Sequence, residues 1–229
     1  IDFNGHTLNE TWDDAGTPKS GQGINNPSGY SNLTIKNGGI VAGCGMDDTI
    51  TDYSNMPTDG SILFNQGGNN NTLTNMSIEF CSSYRNQEHF ASYTSNYTTV
   101  TYNNFTFNFF PGFSPGGNAG WKLISIPQNF YANVSHNTFL NIFSEGYGGM
   151  DGVCYLINDA VNGDSEPMFN SFTENVFINT SCNTFYTNSI NSTFSNNIFL
   201  GYDYVQDPIG IEFDYDIYGD EISRDYGTI

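Results

Sequence analysis

The densest cluster of chemistry-bearing side chains is Ile211-Glu212-Phe213-Asp214-Tyr215-Asp216-Ile217. Alternation with a period of two places Glu212, Asp214 and Asp216 on one face of a strand and the aromatic and aliphatic side chains on the other. Three like charges along one face repel, and a hard cation with oxygen ligands, Ca²⁺ above all, would relieve that repulsion. The same pattern also reads as a solvated outer face that keeps an edge strand from pairing with another chain. Asp13-Asp14, Asp47-Asp48, Asp159 and Asp164 fall in expected loops and make weaker oxygen sets. His6, His89 and His136 show no short metal-ligand spacing, and none adjoins a cysteine. His6 is expected to serve a turn or packing role, and His136 to point outward.

Cys44, Cys81, Cys154 and Cys182 lack the C-x-x-C spacing of zinc or redox sites. Four cysteines allow three disulfide connectivities, and buried free thiols are an equal alternative. N-x-Ser/Thr acceptor sequences occur at Asn9, Asn32, Asn70, Asn75, Asn96, Asn104, Asn133, Asn179 and Asn191. Glycosylation needs an exposed loop, which favours Asn9, Asn70 and Asn96 as acceptors. Thr99 and Thr101 form a Thr-x-Thr pair of the type seen in ice-binding ladders, but the pair does not recur at a fixed spacing and is set aside.

The elements that must position these groups follow from composition. The chain has 229 residues, with 5 Lys and Arg against 24 Asp and Glu, a net charge of −19. That balance excludes nucleic acid and anionic membranes as partners, since both require clustered basic residues. No apolar run approaches the length of a membrane span. Hydrophobic residues make up 37% and aromatic residues 16% of the chain, enough apolar surface for a folded core. Charged residues are only 13%, so about thirty asparagines take over much of the polar surface, roughly three times ordinary usage.

A degenerate repeat organises the chain: an apolar residue, two variable residues, Asn, one residue, and a second apolar residue. It is read at Phe105-Thr-Phe-Asn108-Phe-Phe110, Val134-Ser-His-Asn137-Thr-Phe139, Phe172-Thr-Glu-Asn175-Val-Phe177, Phe185-Tyr-Thr-Asn188-Ser-Ile190 and Phe194-Ser-Asn-Asn197-Ile-Phe199. Ile35-Lys-Asn-Gly38-Gly-Ile40 and Leu73-Thr-Asn-Met76-Ser-Ile78 are copies without the Asn. Short β-rich segments precede several copies: Ile62-Leu63-Phe64, Leu123 to Ile126 and Val153 to Leu156. The unit at Phe185 reads as a second strand of one turn. No helical stripe competes with this pattern. The expected fold is all-β, a β-solenoid of 1–229 as one domain with loop insertions in several turns. At a repeated corner, Asn would adopt left-handed backbone geometry and bond to the Asn of the next turn.

The opening Ile1-Asp2-Phe3-Asn4-Gly5-His6-Thr7-Leu8, the segment Asn32 to Ile40 and the Asn-x-Thr/Phe units to Phe199 resemble the right-handed parallel β-helix repeats of the NosD-like and pectin-lyase-like superfamily. They are especially similar to Asn-rich adhesin-like surface proteins of methanogenic archaea. The resemblance implies a right-handed parallel β-helix at a cell surface. It does not choose an activity, because lyases, tailspikes and adhesins share the scaffold. The copper role of NosD-like proteins does not carry over, since no Met/His cluster is present. No catalytic set is assigned: Arg85, Arg224, Lys19, Lys36 and Lys122 form no segment like those of the superfamily's polysaccharide-cleaving enzymes.

The leading expectation is therefore a non-catalytic structural or adhesive module of a surface layer, sheath or filament, extracellular and with no required cofactor. Its expected partners are copies of itself, other surface proteins or glycans. Ile222 to Ile229 contain no helix-like cap, so a segment of a longer or end-to-end stacking protein is expected. One rival is a Ca²⁺-dependent polysaccharide lyase or hydrolase with a groove around Asp47, Asp48, Arg85, Asp151 or Asp164. Another is a carbohydrate-binding module with Tyr84, Tyr93, Trp121 and Tyr147 as sugar platforms.

Overall fold

The structure is a computed structural model and describes residues 1–11, 24–26, 28–44, 62–64, 68–80, 88–107, 121–142, 154–159, 168–180, 183–187, 191–200 and 211–213. All regular structure among the described residues is β-strand, in two parallel sheets of 11 and 7 strands. The chain visits three rows of strands in the same order on each pass. The first row forms the smaller sheet: β2 (Ile24–Asn25), β4 (Ile62–Phe64), β6 (Glu88–Ser92), β9 (Trp121–Ser125), β12 (Cys154–Asn158), β15 (Asn183–Thr187) and β18 (Ile211–Phe213). The second row holds the front halves of β3 (Thr34–Cys44) and β5 (Thr72–Phe80), then β7 (Thr99–Thr101), β10 (Asn133–Ser135), β13 (Ser171–Thr173) and β16 (Thr193–Ser195). The third row holds β1 (Thr7–Thr11), the rear halves of β3 and β5, then β8 (Asn104–Phe107), β11 (Thr138–Leu140), β14 (Val176–Ile178) and β17 (Ile198–Leu200).

Because every neighbour is parallel and in register, like residues fall into columns. Ile35, Leu73, Val100, Val134, Phe172 and Phe194 form the second-row column. Leu8, Ile40, Ile78, Phe105, Phe139, Phe177 and Phe199 form the third-row column. In the first row, Phe90, Ile124 and Ile157 are aligned and fully buried. Phe105, Phe139, Phe177 and Phe199 stack with centroids 5.1, 4.7 and 5.0 Å apart and rings within 13° of parallel. Those separations suit offset stacking, which adds about 0.5–1.5 kcal/mol per pair to the area buried.

At the corner between the second and third rows runs a ladder of asparagines, three of them buried and the last, Asn197, half-buried. Asn103 Nδ2 donates to Asn137 Oδ1 at 3.0 Å, Asn137 Nδ2 to Asn175 Oδ1 at 3.1 Å, and Asn175 Nδ2 to Asn197 Oδ1 at 3.1 Å. Each amide also reaches the backbone of the preceding pass. Asn137 Nδ2 donates to the Val100 carbonyl at 2.8 Å, and Asn137 Oδ1 accepts the Asn103 N–H at 3.0 Å. All four hydrogen-bonding capacities of the Asn137 side chain are thereby used.

Two details differ from the sequence reading. First, the left-handed residue is not the ladder Asn but the one before it: Asn37, Asn75, Tyr102, His136, Glu174 and Asn196 have φ between 53° and 59°. The corner turns at that residue, and the next one returns to extended geometry with its side chain inward. Second, the unit framed on Phe105 and Asn108 is out of register. The aligned copy is Val100-Thr-Tyr-Asn103-Asn-Phe105, because Phe105 pairs with Ile78 and Phe139, while Val100 is the partner of Leu73. Asn108 lies outside the described residues. The passes between aligned second-row positions therefore span 38, 27, 34, 38 and 22 residues. The strands expected at Ile62–Phe64, around Leu123, around Cys154 and at Phe185 are all present, as β4, β9, β12 and β15.

Replacing Asn137 by Ala removes the acceptor of the Asn103 backbone N–H and of one Asn103 Nδ2 hydrogen, and the side-chain donor to the Val100 carbonyl, and is expected to cost about 2–4 kcal/mol. Thr106→Ala, on the half-exposed outer face of β8, is expected to cost under about 0.5 kcal/mol. Denaturant unfolding of both variants checks the contrast.

Candidate functional site

The three-residue strands of the second row turn their middle residue inward, so their first and third residues line an outer face. Register aligns Thr34, Thr72, Thr99, Asn133, Ser171 and Thr193 in one column and Lys36, Thr74, Thr101, Ser135, Thr173 and Ser195 in the next. The Thr-x-Thr pair at Thr99 and Thr101, set aside as unrepeated, thus recurs as hydroxyl pairs on neighbouring passes. Unequal spacings of 38, 27 and 34 residues hide the repeat in the sequence. Thr101 Oγ1 donates to Thr74 Oγ1 at 3.2 Å along the column.

Left-handed corners bound this face on both sides. On one side stand Asn32, Asn70, Tyr97, Tyr131, Phe169 and Asn191, with φ between 54° and 64°. Tyr97 and Tyr131 stack at 5.3 Å, and Tyr131 and Phe169 at 5.6 Å, yet all three are about half exposed. On the other side Tyr102 stacks on His136 at 4.7 Å, and His136 Nε2 lies 2.6 Å from Glu174 Oε2. Both corner columns escaped the sequence reading. Their signal was available: each residue sits three positions before a buried apolar residue or two after one, and an exposed aromatic at such a corner has no core to fill.

The same corner geometry accounts for several glycosylation sequences. Asn tolerates the left-handed corner, and Thr or Ser favours the first outward strand position two residues on. Asn32-Leu-Thr34, Asn70-Asn-Thr72 and Asn191-Ser-Thr193 arise this way in one corner, and Asn75-Met-Ser77 in the other. Asn70, Asn75 and Asn179 donate through Nδ2, the glycan-bearing atom, to Asn32, Asn37 and Asn141 at 3.3, 2.9 and 2.9 Å. Asn9 and Asn104 are exposed on strands β1 and β8. Asn96 is not in an open loop: it is half-buried and bridges to Phe130. Asn133 is half-buried, and Asn32 and Asn191 are exposed.

The acidic cluster is only partly described. Glu212 lies in β18 opposite Tyr186, while Asp214 and Asp216 are outside the described residues. No group of three or more His, Cys, Asp or Glu side chains is brought together among the described residues. Asp159 lies just past the end of β12, outside any strand, where it is buried and accepts from Asn170 Nδ2 at 3.3 Å. Cys44 ends β3 and Cys154 begins β12, in different sheets, whereas Cys81 and Cys182 are outside the described residues. Asp13, Asp14, Asp47, Asp48, Asp151, Asp164, Arg85, Tyr84 and Tyr147 also lie outside them. Tyr93 is half-buried, Trp121 begins β9, His6 is exposed and His89 lies in β6.

A small charged set fastens the first pass. Asp2 accepts the Asn4 N–H at 3.0 Å and Asn37 Nδ2 at 3.2 Å, and Lys36 Nζ stands 3.3 Å from its carboxylate. The Asn4 N–H chiefly, then Asn37 and Lys36, hold the Asp2 carboxyl below its ordinary value of 3.8. A depressed folded-state value means the contribution is present above the unfolded value and lost as pH falls through the folded one. Acidification from about pH 5 to about pH 2 is therefore expected to loosen the first pass. Hydrogen exchange at Phe3 and Gly5, whose N–H groups bond to Lys36 and Asn37 carbonyls, should accelerate in that window, and Asp2→Asn should remove the pH dependence. Comparison with family models, curated proteins and solved structures returned no match.

Proposed function

We propose that the repeated three-row passes close into a right-handed parallel β-helix, and that the chain is a non-catalytic structural and adhesive module of a cell surface or extracellular filament. The observation that carries this reading is the in-register recurrence of the same outer columns, from Thr34 to Thr193, along a parallel stack. Such a stack gives a stiff rod that presents one surface many times, which suits weak contacts multiplied along a filament or layer. The resemblance to Asn-rich adhesin-like surface proteins supports the same reading, as does a surface built from Asn, Thr and Ser.

Purified protein is expected to bind to itself or to a cell-envelope preparation in sedimentation assays and to leave oligogalacturonides uncut in the presence of Ca²⁺. Release of shortened or unsaturated products would overturn the non-catalytic reading. A strictly monomeric protein that also ignores envelope material would overturn the structural and adhesive one.

A further inference from the structure

Resting on the adhesive reading above, we infer that the outer face of the second row between the two aromatic corners is a binding trough for an uncharged polysaccharide chain. Its rims project: Tyr97 is 54%, Tyr131 50% and Tyr102 61% exposed. Its floor is recessed, since Thr101 is only 9% and Ser135 4% exposed although both point away from the core. A polar floor lower than its aromatic rims is a concave strip, and it follows the stack axis across the passes of β7, β10 and β13.

The chemistry of the strip narrows its occupant. The backbone groups of β7, β10 and β13 are already paired with neighbouring strands, so an added peptide strand finds no ladder to extend. A net charge of −19 repels nucleic acid, uronic acid chains and anionic lipid. What remains on offer is a set of half-exposed hydroxyls and an amide, from Thr99, Asn133, Ser171 and Thr173, that both donate and accept. Sugar hydroxyls have the same dual character. Because Tyr97 and Tyr131 cover one another's faces at 5.3 Å, solvent meets their edges and phenol groups, which suit a ligand rich in both C–H and O–H. Three passes at the strand spacing span about 10 Å between the outer two, the reach of about two or three linked sugar rings. A regular polymer laid along the axis would meet the same columns at each pass.

The test is depletion of the purified chain from solution by cellulose, chitin, xylan and starch, with immobilised polygalacturonate as the polyanion control. Binding to at least one neutral polymer is expected, reduced about tenfold by Tyr131→Ala and by Ser135→Trp, which fills the floor. Thr106→Ala, on the third-row outer face, is expected to bind as the unaltered chain does. Circular dichroism melting of each variant separates lost binding from lost folding, and Tyr131→Ala, at an exposed corner, keeps the test decisive if Ser135→Trp does not fold. Binding to none of the neutral polymers, preference for polygalacturonate, or binding unchanged by Tyr131→Ala overturns the inference. Envelope adhesion that persists in Tyr131→Ala would overturn this site while leaving the adhesive reading standing.

Discussion

The buried asparagine ladder is the constraint on which the rest of the structure depends. An amide with no partner in the interior costs about 1–3 kcal/mol, so the buried Asn103, Asn137 and Asn175 are tolerable only if every one finds its neighbours. The partners come from the passes on either side, at one register only. Sliding one pass by a single residue would break the side-chain bonds and turn the phenylalanine column outward at once. Apolar stacking alone would accept Ile, Leu, Val or Phe at each level, as the mixed columns show. The amides add what the apolar residues lack, a penalty for every wrong alignment.

From that register follows the shape of the outer face. A ladder Asn can face inward only if the residue before it makes the turn, and that residue is forced into left-handed geometry with its side chain in solvent. Asparagine is the usual occupant at such a position. Tyr102 stands there instead, before Asn103, and Tyr97, Tyr131 and Phe169 hold the same left-handed geometry at the opposite corner, at φ of 54° to 60°, although bulky side chains bear more strain in that region than Asn. Four aromatic residues at exposed, conformationally unfavourable positions are poorly explained by folding, since they fill no core. Stacking on the next pass offsets part of the strain.

The repeat was legible in the sequence where no stronger frame competed with it, as at Val134, Phe172 and Phe194. It was lost at Val100, where Tyr102 and Asn104 flank Asn103 and the aromatic run from Phe105 to Phe110 offers a stronger false frame. Sequence spacing does not reveal this, because insertions between rows make the pass length vary from 22 to 38 residues while the strand register stays fixed. The outer hydroxyl columns were hidden for the same reason. Alternation within a three-residue strand is too short to stand out, and only parallel pairing brings Thr72 beside Thr99. The residues singled out as metal ligands or as a catalytic groove were chosen for charge. The face that the structure assembles is almost uncharged.

Scarcity of charge is itself a consequence of parallel stacking. In an in-register column any side chain meets its own counterpart at about 4.8 Å, so a repeated Lys or Glu would accumulate like-charge repulsion pass after pass. Asn, Thr, Ser and aromatic side chains can repeat without that penalty, since each attracts its own kind through hydrogen bonds or stacking. Among the charges that enter the described columns, Lys36 lies against Asp2 and His136 Nε2 against Glu174, while Glu79 lies between Val41 and Thr106. A chain carrying 24 acidic residues can therefore keep its stacked face nearly neutral only by excluding them from it. A stack that is anionic as a whole but nearly neutral along one strip repels polyanions and leaves that strip without such a barrier to uncharged molecules.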